Sequence, residues 1–333
     1  MSHKKRPKVF ILGLDGADWK IIDHMISIGK MPALASIKKN GAWGPLESTK
    51  PPITCPAWLT FGTGKNPGKL GVFFFLVREG FKYSTVPFYF KRDVQGDNFW
   101  DLLSREGFKV GVVNIPTVHR PYPINGFIIA GFMSKSRRDW LDEDEGESLT
   151  YPEELGKEIT EEIGKYHVSF PKTTSSKSHL LTLEEEIDEY EEVALQRAKA
   201  LEHLMANKEW DLITVDVMAT DRIGHSMAQL IYPGGGKYDT KQGFRMRERI
   251  ERFYSKIDSI VSRLREAAGK NTYFFIISDH GMGPQKGKFN ANDWLIKRGY
   301  LRLKEKSGKP NKKTPSSFKV RTLRRLSRIS RAI

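Results

Sequence analysis

The chain has 333 residues, and its single cysteine excludes both a disulfide framework and a zinc site built from cysteines. The length suits one large α/β domain or two ordinary ones, which bury a core without disulfides or a structural metal. The net charge is +15, but residues 301–333 carry +11 of it. Because a basic terminus alone says little about partners, this charge is weak evidence for nucleic-acid binding.

The first apolar run, Val9–Leu14, ends at Asp15-Gly16 and predicts a buried strand followed by a loop. No run approaches the roughly 18 apolar residues of a membrane-spanning helix. The charged start resembles a signal peptide, but Asp15 and Asp18 interrupt its short apolar stretch. We therefore expect a cytoplasmic protein.

Further strands and helices alternate along the chain. Runs like the first predict strands over 109–114, 126–131, 211–216 and 272–279, and helical patterns cover 98–107, 183–207 and 244–268. Strands alternating with helices indicate a parallel sheet that is covered on both faces. The expected fold class is therefore α/β, with a mostly parallel central sheet between two helical layers.

Two segments differ from this pattern. Residues 134–180 mix acidic clusters with Ser, Thr and Lys, and we expect an inserted cap there. Residues 304–333 read as a basic linker followed by a possible amphipathic tail over Phe318–Ile333. Two interpretations of this tail stay open: it binds an anionic surface or nucleic acid, or it is exposed through loss of a part that normally follows.

Acidic side chains stand at the carboxyl ends of predicted strands. They are Asp15, Asp216 and Asp279, the last followed by His280. In open α/β sheets ligands bind in the crevice outside those strand ends. Asp221 and His225 are one helical turn apart, a spacing that suits two ligands of one metal. Oxygen and nitrogen ligands without a thiolate favour Zn²⁺ or Mn²⁺.

A proline-flanked threonine supplies a candidate nucleophile. Pro51 and Pro52 exclude a strand interior, and Pro56 is able to start a helix. Thr54 then stands just ahead of a helix N-terminus, where backbone N–H groups favour an anion. The alternative, that Thr54 is a simple N-cap residue, stays open at this point.

The order of several motifs resembles the alkaline phosphatase superfamily. Along the chain these motifs are LDGADW, PPITCPAW with TGKNPG after it, TDRIGH and SDHGMGP. The resemblance is to its type I phosphodiesterase/nucleotide pyrophosphatase branch, and it runs from about residue 8 to 300. It implies an alkaline-phosphatase-like three-layer sandwich with one catalytic domain over residues 1–303. The implied activity is metal-dependent hydrolysis of phosphate esters, with phosphodiesters or nucleotide pyrophosphates as substrates.

The same resemblance implies two divalent metal ions and a nucleophile. The expected metal ligands are Asp15, Thr54, Asp279 and His280 for one ion, and Asp221 and His225 for the other. Thr54 is also the expected nucleophile, and it forms a phospho-threonine that water then hydrolyses. Metal coordination is one of the few ways to make a threonine hydroxyl nucleophilic near neutral pH.

The sequence departs from the family at the second metal, because no histidine follows His280 to supply its third ligand. Asn290, Asn292 or Asp293 completes that site, or it has two ligands and is weak, or the chain lacks the usual C-terminal part. The alternative function is therefore a catalytically impaired or truncated member that binds phosphorylated ligands with one metal.

Substrate contacts depart from the family pattern as well. Phosphodiesterase members place an asparagine that helps hold the phosphoryl oxygens where this chain has Phe75. Lys65 and Asn66 are the candidates to replace it.

Overall fold

The computed structural model describes residues 6–78, 80, 85–87, 97–132, 148–170, 182–232 and 234–302. These residues divide after Pro284 into two compact units. The division falls earlier than the expected domain boundary at 303, which stays a prediction because residues 303–333 lie outside the described part. No helix among the described residues is long and apolar enough to cross a membrane.

The first unit is built on a six-stranded sheet with the order β6-β5-β4-β7-β1-β8. Its strands are β1 (Lys8–Leu14), β4 (Val110–Val113), β5 (Gly126–Ile129), β6 (Thr150–Tyr151), β7 (Leu212–Val217) and β8 (Thr272–Ile277). All neighbouring pairs are parallel except β5 and β6. A separate antiparallel pair joins β2 (Leu76–Arg78) and β3 (Thr85–Pro87).

The described helices of this unit number nine. They are α1 (Trp19–Ser27), α2 (Pro32–Asn40), α3 (Thr54–Thr63), α4 (Pro67–Leu70), α5 (Phe99–Arg105), α6 (Leu155–Ile163), α7 (Leu183–Asn207), α8 (Ala219–Ile231) and α9 (Lys241–Ala268). Helix α7 begins at a capping box, in which Thr182 and Glu185 bond to each other's backbone N–H groups. The predicted bounds of this helix, 183–207, are confirmed, and the capping box explains where it starts.

Each face of the sheet buries its own apolar core. Along β1, Phe10 and Leu12 point to one face and pack with residues of α7, α8 and α9. The opposite face packs against Trp58 of α3 and Trp100 of α5. Because side chains of a strand alternate between faces, one short strand supplies both cores. The predicted α/β architecture, with helices on both sides of a mostly parallel sheet, is confirmed.

The segment expected as a cap is described over residues 148–170 only. There it supplies the edge strand β6 and helix α6, and Leu155, Ile159 and Tyr166 are buried in the core beside α7. The described part of the segment therefore extends the sheet and its helical layer.

The described part of the second unit contains one helix, α10 (Ala291–Lys297), which Asn290 precedes as N-cap residue. The ring of Trp294 stacks against Tyr300, with 6.3 Å between ring centroids. The expected tail over 304–333 lies outside the described residues.

Candidate metal centre

Asp15 follows β1 directly and is fully buried. The indole N–H of Trp58 donates to its Oδ2 at 3.0 Å, and the Thr220 hydroxyl donates to its main-chain oxygen at 2.6 Å. No donor among the described residues bonds to Oδ1. One carboxylate oxygen is therefore held in place while the other has no partner.

Thr54 is the first residue of α3 and is 7% exposed. The N-cap position belongs to Ile53, and no side chain caps the helix there. The hydroxyl of Thr54 lies 3.1 Å from Nε2 of His280 instead. Thr54 thus does not act as the N-cap residue, and its hydroxyl turns toward the side chains that follow β8.

One atom of His280, the ring nitrogen Nε2, lies near several of the other side chains. Its Nδ1 lies 3.0 Å from the main-chain oxygen of Gly281. Its Nε2 lies 3.6 Å from Oδ1 of Asp15 and 3.4 Å from Oδ2 of Asp279. When Nδ1–H donates to the Gly281 carbonyl, the lone pair of Nε2 faces these carboxylates, which is the arrangement of a metal-binding histidine.

Asp279 is held by the loop that carries Asp15. The backbone N–H of Gly16 donates to Oδ1 of Asp279 at 3.1 Å, while no described donor bonds to Oδ2. Gly16 has φ +64°, and a Cβ there would lie 2.9 Å from Cα of Asp221. Only glycine therefore allows this loop to approach both carboxylates.

The residues present fit a divalent cation. Ligand atoms of Asp15, Asp279 and His280 all lie within 4.8 Å of one another. Two of these residues contribute a buried carboxylate oxygen that no described group satisfies. Buried carboxylates are normally paired, hydrogen-bonded or metal-bound, so a cation between them would remove the cost of their burial.

The second expected pair adjoins this cluster. Nε2 of His225 lies 3.3 Å from Oδ1 of Asp221, one helical turn away on α8. The same Oδ1 lies 3.8 Å from Nε2 of His280. The Asp221 carboxylate is buried, whereas the His225 side chain is 55% exposed. The structure thus brings all six expected metal ligands to one place.

Asn290, Asn292 and Asp293 belong to the second unit, at the start of α10. Their part in the second metal site stays a prediction.

The carboxylates of this cluster also shift one another's pKa values. Burial raises the pKa of Asp15 well above its usual range, and the charges of Asp279, Asp216 and Asp221 add to this effect. Burial likewise raises the pKa of Asp279, although His280 and the Gly16 N–H oppose it. For Asp221, burial is outweighed by the bond and charge of His225, and the pKa falls. The protein by itself therefore stabilises the ionised forms of Asp15 and Asp279 poorly.

The predicted phosphate ligands Lys65 and Asn66 come after α3, the helix that Thr54 begins. Both follow the C-terminal end of α3. That end lies about 14 Å along the helix axis from Thr54, at a rise of about 1.5 Å per residue. The Asn66 side chain caps α4, where it accepts a bond from the N–H of Lys69. The part of both residues in phosphate binding stays a prediction.

Phe75, at the position of the family's asparagine, is buried and packs edge-on against Phe132, with 6.0 Å between ring centroids. Phe132 in turn lies under the guanidinium of Arg222, 4.8 Å from its central carbon. An apolar contact therefore replaces a polar one here.

Sequence reasoning missed the residues that hold the ligands, namely Gly16, Trp58 and Thr220. An Asp-Gly pair after a strand is common in turns, and a tryptophan in a helix is common in cores. Their sequence patterns carry no sign of the contacts to the carboxylates.

Comparisons with known proteins identify the family and support the fold. The sequence matches the family of type I phosphodiesterases/nucleotide pyrophosphatases over residues 9–326. A comparison with curated protein sequences finds no significant match.

Phosphonoacetate hydrolase from Sinorhizobium meliloti 1021 is a similar solved structure. Its complex with phosphonoformate aligns at a TM-score of 0.54 and 19% identity, over 87% of this chain and 62% of that chain. Its complex with phosphonoacetate gives 0.54 and 18%, over 88% and 63%. At this identity the likeness shows the fold, and this chain spans less than two thirds of the hydrolase's length. The family match covers nearly the whole sequence, and the chain belongs to the type I phosphodiesterase/nucleotide pyrophosphatase family.

Proposed function

We propose that this chain hydrolyses phosphate esters, with phosphodiester or nucleotide pyrophosphate bonds as its substrates and Thr54 as its nucleophile. The observation that carries the proposal is the contact of 3.1 Å between the Thr54 hydroxyl and Nε2 of His280. That nitrogen also faces the unsatisfied oxygens of Asp15 and Asp279. The description of the matching family supports the substrate class.

The cations of this proposal are Zn²⁺ or Mn²⁺. Asp15, Thr54, Asp279 and His280 would hold one ion. Asp221 and His225 would take part in holding a second. A bound divalent cation supplies Lewis acidity, which lowers the pKa of a coordinated hydroxyl and neutralises charge on the phosphoryl group.

The protein's own groups orient the reaction. Thr54 stands at the N-terminus of a ten-residue helix, where the positive end of the helix dipole attracts phosphoryl oxygens. Its Oγ1 attacks phosphorus, the bond to the leaving ester oxygen breaks, and a phospho-threonine forms. Water then attacks the same phosphorus, releases phosphate or a phosphomonoester, and regenerates the Thr54 hydroxyl.

The test compares turnover of bis-p-nitrophenyl phosphate and p-nitrophenyl phosphate, with Mn²⁺ or Zn²⁺ added, for three variants. Thr54→Ala should lower kcat by about 10³-fold or more, because the attacking atom is lost. Thr54→Ser, which keeps a hydroxyl, should retain measurable turnover. Thr63→Ala is the control, since Thr63 ends the same helix and its hydroxyl donates to the Leu59 carbonyl. Unchanged turnover in Thr54→Ala refutes the proposal.

A second candidate is a non-catalytic protein that binds phosphorylated ligands with one metal. It is favoured by one observation: within the described residues, only Asp15, Asp279 and His280 form a group of three close metal-ligand atoms. It requires one metal per chain and no turnover. Elemental analysis that finds two tightly bound ions, or any metal-stimulated hydrolysis, excludes it.

A further inference from the structure

Asp216 is a buried carboxylate with no assigned role. It is the fifth residue of β7 and is 0% exposed. Neither of its carboxylate oxygens has a hydrogen-bond partner among the residues that the structure describes. Aspartate is almost never fully buried without a partner, so this side chain requires an explanation.

The sheet register shows where Asp216 points. It pairs with Gly13 of β1, and alternation places it on the same face as Gly13. On that face Trp58 packs so closely that a Cβ on Gly13 would lie 2.3 Å from its ring. The same Trp58 donates to Asp15, so Asp216 faces the side of the sheet that holds Asp15 and helix α3.

The charges around Asp216 are mostly negative. Its neighbours are Asp279 and Asp221, opposed by Arg197 of α7, and Asp15 in turn feels the charge of Asp216. Arg197 makes no hydrogen bond to this carboxylate among the described contacts. Its guanidinium donates to the main-chain oxygens of His167 and Val168 instead. Arg197 is thus the one positive charge that opposes the two aspartates acting on Asp216.

We propose that Asp216 is the fourth carboxylate of the metal centre and strengthens cation binding at Asp15, Asp279 and His280 through its negative charge. This inference rests on the cation site of the proposed function but not on Thr54 as nucleophile. Asp216 is a positioning residue here: its charge raises the affinity of the neighbouring ligands for the cation. In the metal-free protein its burial beside like charges is a cost.

The rival explanation is that Asp216 is the counter-charge of buried Arg197. The two explanations predict opposite effects of Asp216→Asn on the metal-free protein. A counter-charge stabilises the fold, so its removal would lower the melting temperature. A carboxylate kept for a cation destabilises the metal-free fold, so its removal should raise the melting temperature.

The experiment measures Mn²⁺ binding by calorimetry and thermal unfolding in EDTA for the wild type, Asp216→Asn and Asp258→Asn. We expect Asp216→Asn to bind Mn²⁺ at least about tenfold more weakly and to melt about 2 °C or more higher in EDTA. Asp258 is the matched control: it is buried, but both oxygens accept backbone bonds at 2.8 Å, from Ala33 and Leu34. Asp258→Asn should melt lower and bind Mn²⁺ as the wild type does.

Each other outcome overturns the inference. Equal Mn²⁺ affinity in Asp216→Asn and the wild type overturns the inference alone and leaves the proposed function intact. An Asp216→Asn protein that melts lower or fails to fold supports the counter-charge explanation instead. A wild type that binds no Mn²⁺ overturns the cation site, and the inference with it.

Discussion

Gly16 shows how a single backbone position shapes the proposed metal centre. Its N–H holds Asp279, and its missing Cβ leaves room for Asp221. Neither function depends on a side chain, so the residue type is fixed by geometry alone. The chain also offers a glycine with a similar backbone and none of these contacts: Gly29, at φ +73°, where an added Cβ would have no atom within 4 Å.

We expect Gly16→Ala to weaken Mn²⁺ binding by about tenfold or more, because the added methyl group pushes Asp221 away and strains the bond to Asp279. Gly29→Ala should cost only the strain of a positive φ, about 1 kcal/mol of unfolding free energy. Titration of both variants with Mn²⁺ checks this. Equal affinity in the two would show that the close approach at Gly16 has no part in binding.

At the scale of elements, a charged cluster ties helix α6 to the end of α7. Glu158 of α6 accepts bonds from His203 and Lys208. Burial alone would raise the pKa of Glu158, but the bonds from Lys208 and His203 outweigh it, and the pKa lies below its ordinary value of 4.5. The cluster attaches the described part of segment 148–170 to the core.

A lowered pKa in the folded state means that ionised Glu158 stabilises the fold above pH 4.5 and that this contribution is lost as the pH falls through the folded value. Because the group is partly exposed, we expect about 1 kcal/mol. Urea unfolding of the wild type and Glu158→Gln from pH 7 to 3 measures it. Their difference should shrink toward zero at the acid end; a constant difference contradicts the assignment.

Five of the six strands of the large sheet could be predicted because each is a short run rich in apolar residues. Helix α7 could be predicted to the residue because a capping box marks its start. Strand β6 could not, since its two residues, Thr150 and Tyr151, become a strand only by pairing with β5. The pair β2–β3 likewise depends on cross-strand contacts that leave no periodic signal.

The residues of the candidate site likewise differ in whether the sequence alone identifies them. Its six expected ligands could be named because each occurs in a motif with a defined chemistry. Lys65 and Asn66 belong to no such motif, and their part in phosphate binding stays a prediction. The sequence places Asp216 at a strand end, but only the sheet register and its two unsatisfied oxygens give it a place beside Asp15.

At the scale of the whole molecule, the expected metal ligands, which range from residue 15 to residue 280, meet at the carboxyl ends of neighbouring strands in one sheet. The sheet order places β1 between β7 and β8, so the chain segments after these three strands are neighbours. Asp15 and Asp279 come from these segments, Asp216 is the fifth of the six residues of β7, and all six expected ligands lie in the unit that ends at Pro284. This strand order explains how motifs that lie far apart in the sequence come together at the carboxyl ends of the strands.

The most direct test of the proposed metal centre is an anomalous-scattering map from crystals soaked in Mn²⁺. We expect a peak about 2.0–2.3 Å from oxygen and nitrogen ligands of Asp15, Asp279 and His280, and within reach of the Thr54 hydroxyl. A map with no peak there, or with Mn²⁺ bound away from the Thr54 hydroxyl, would contradict a centre that activates this threonine.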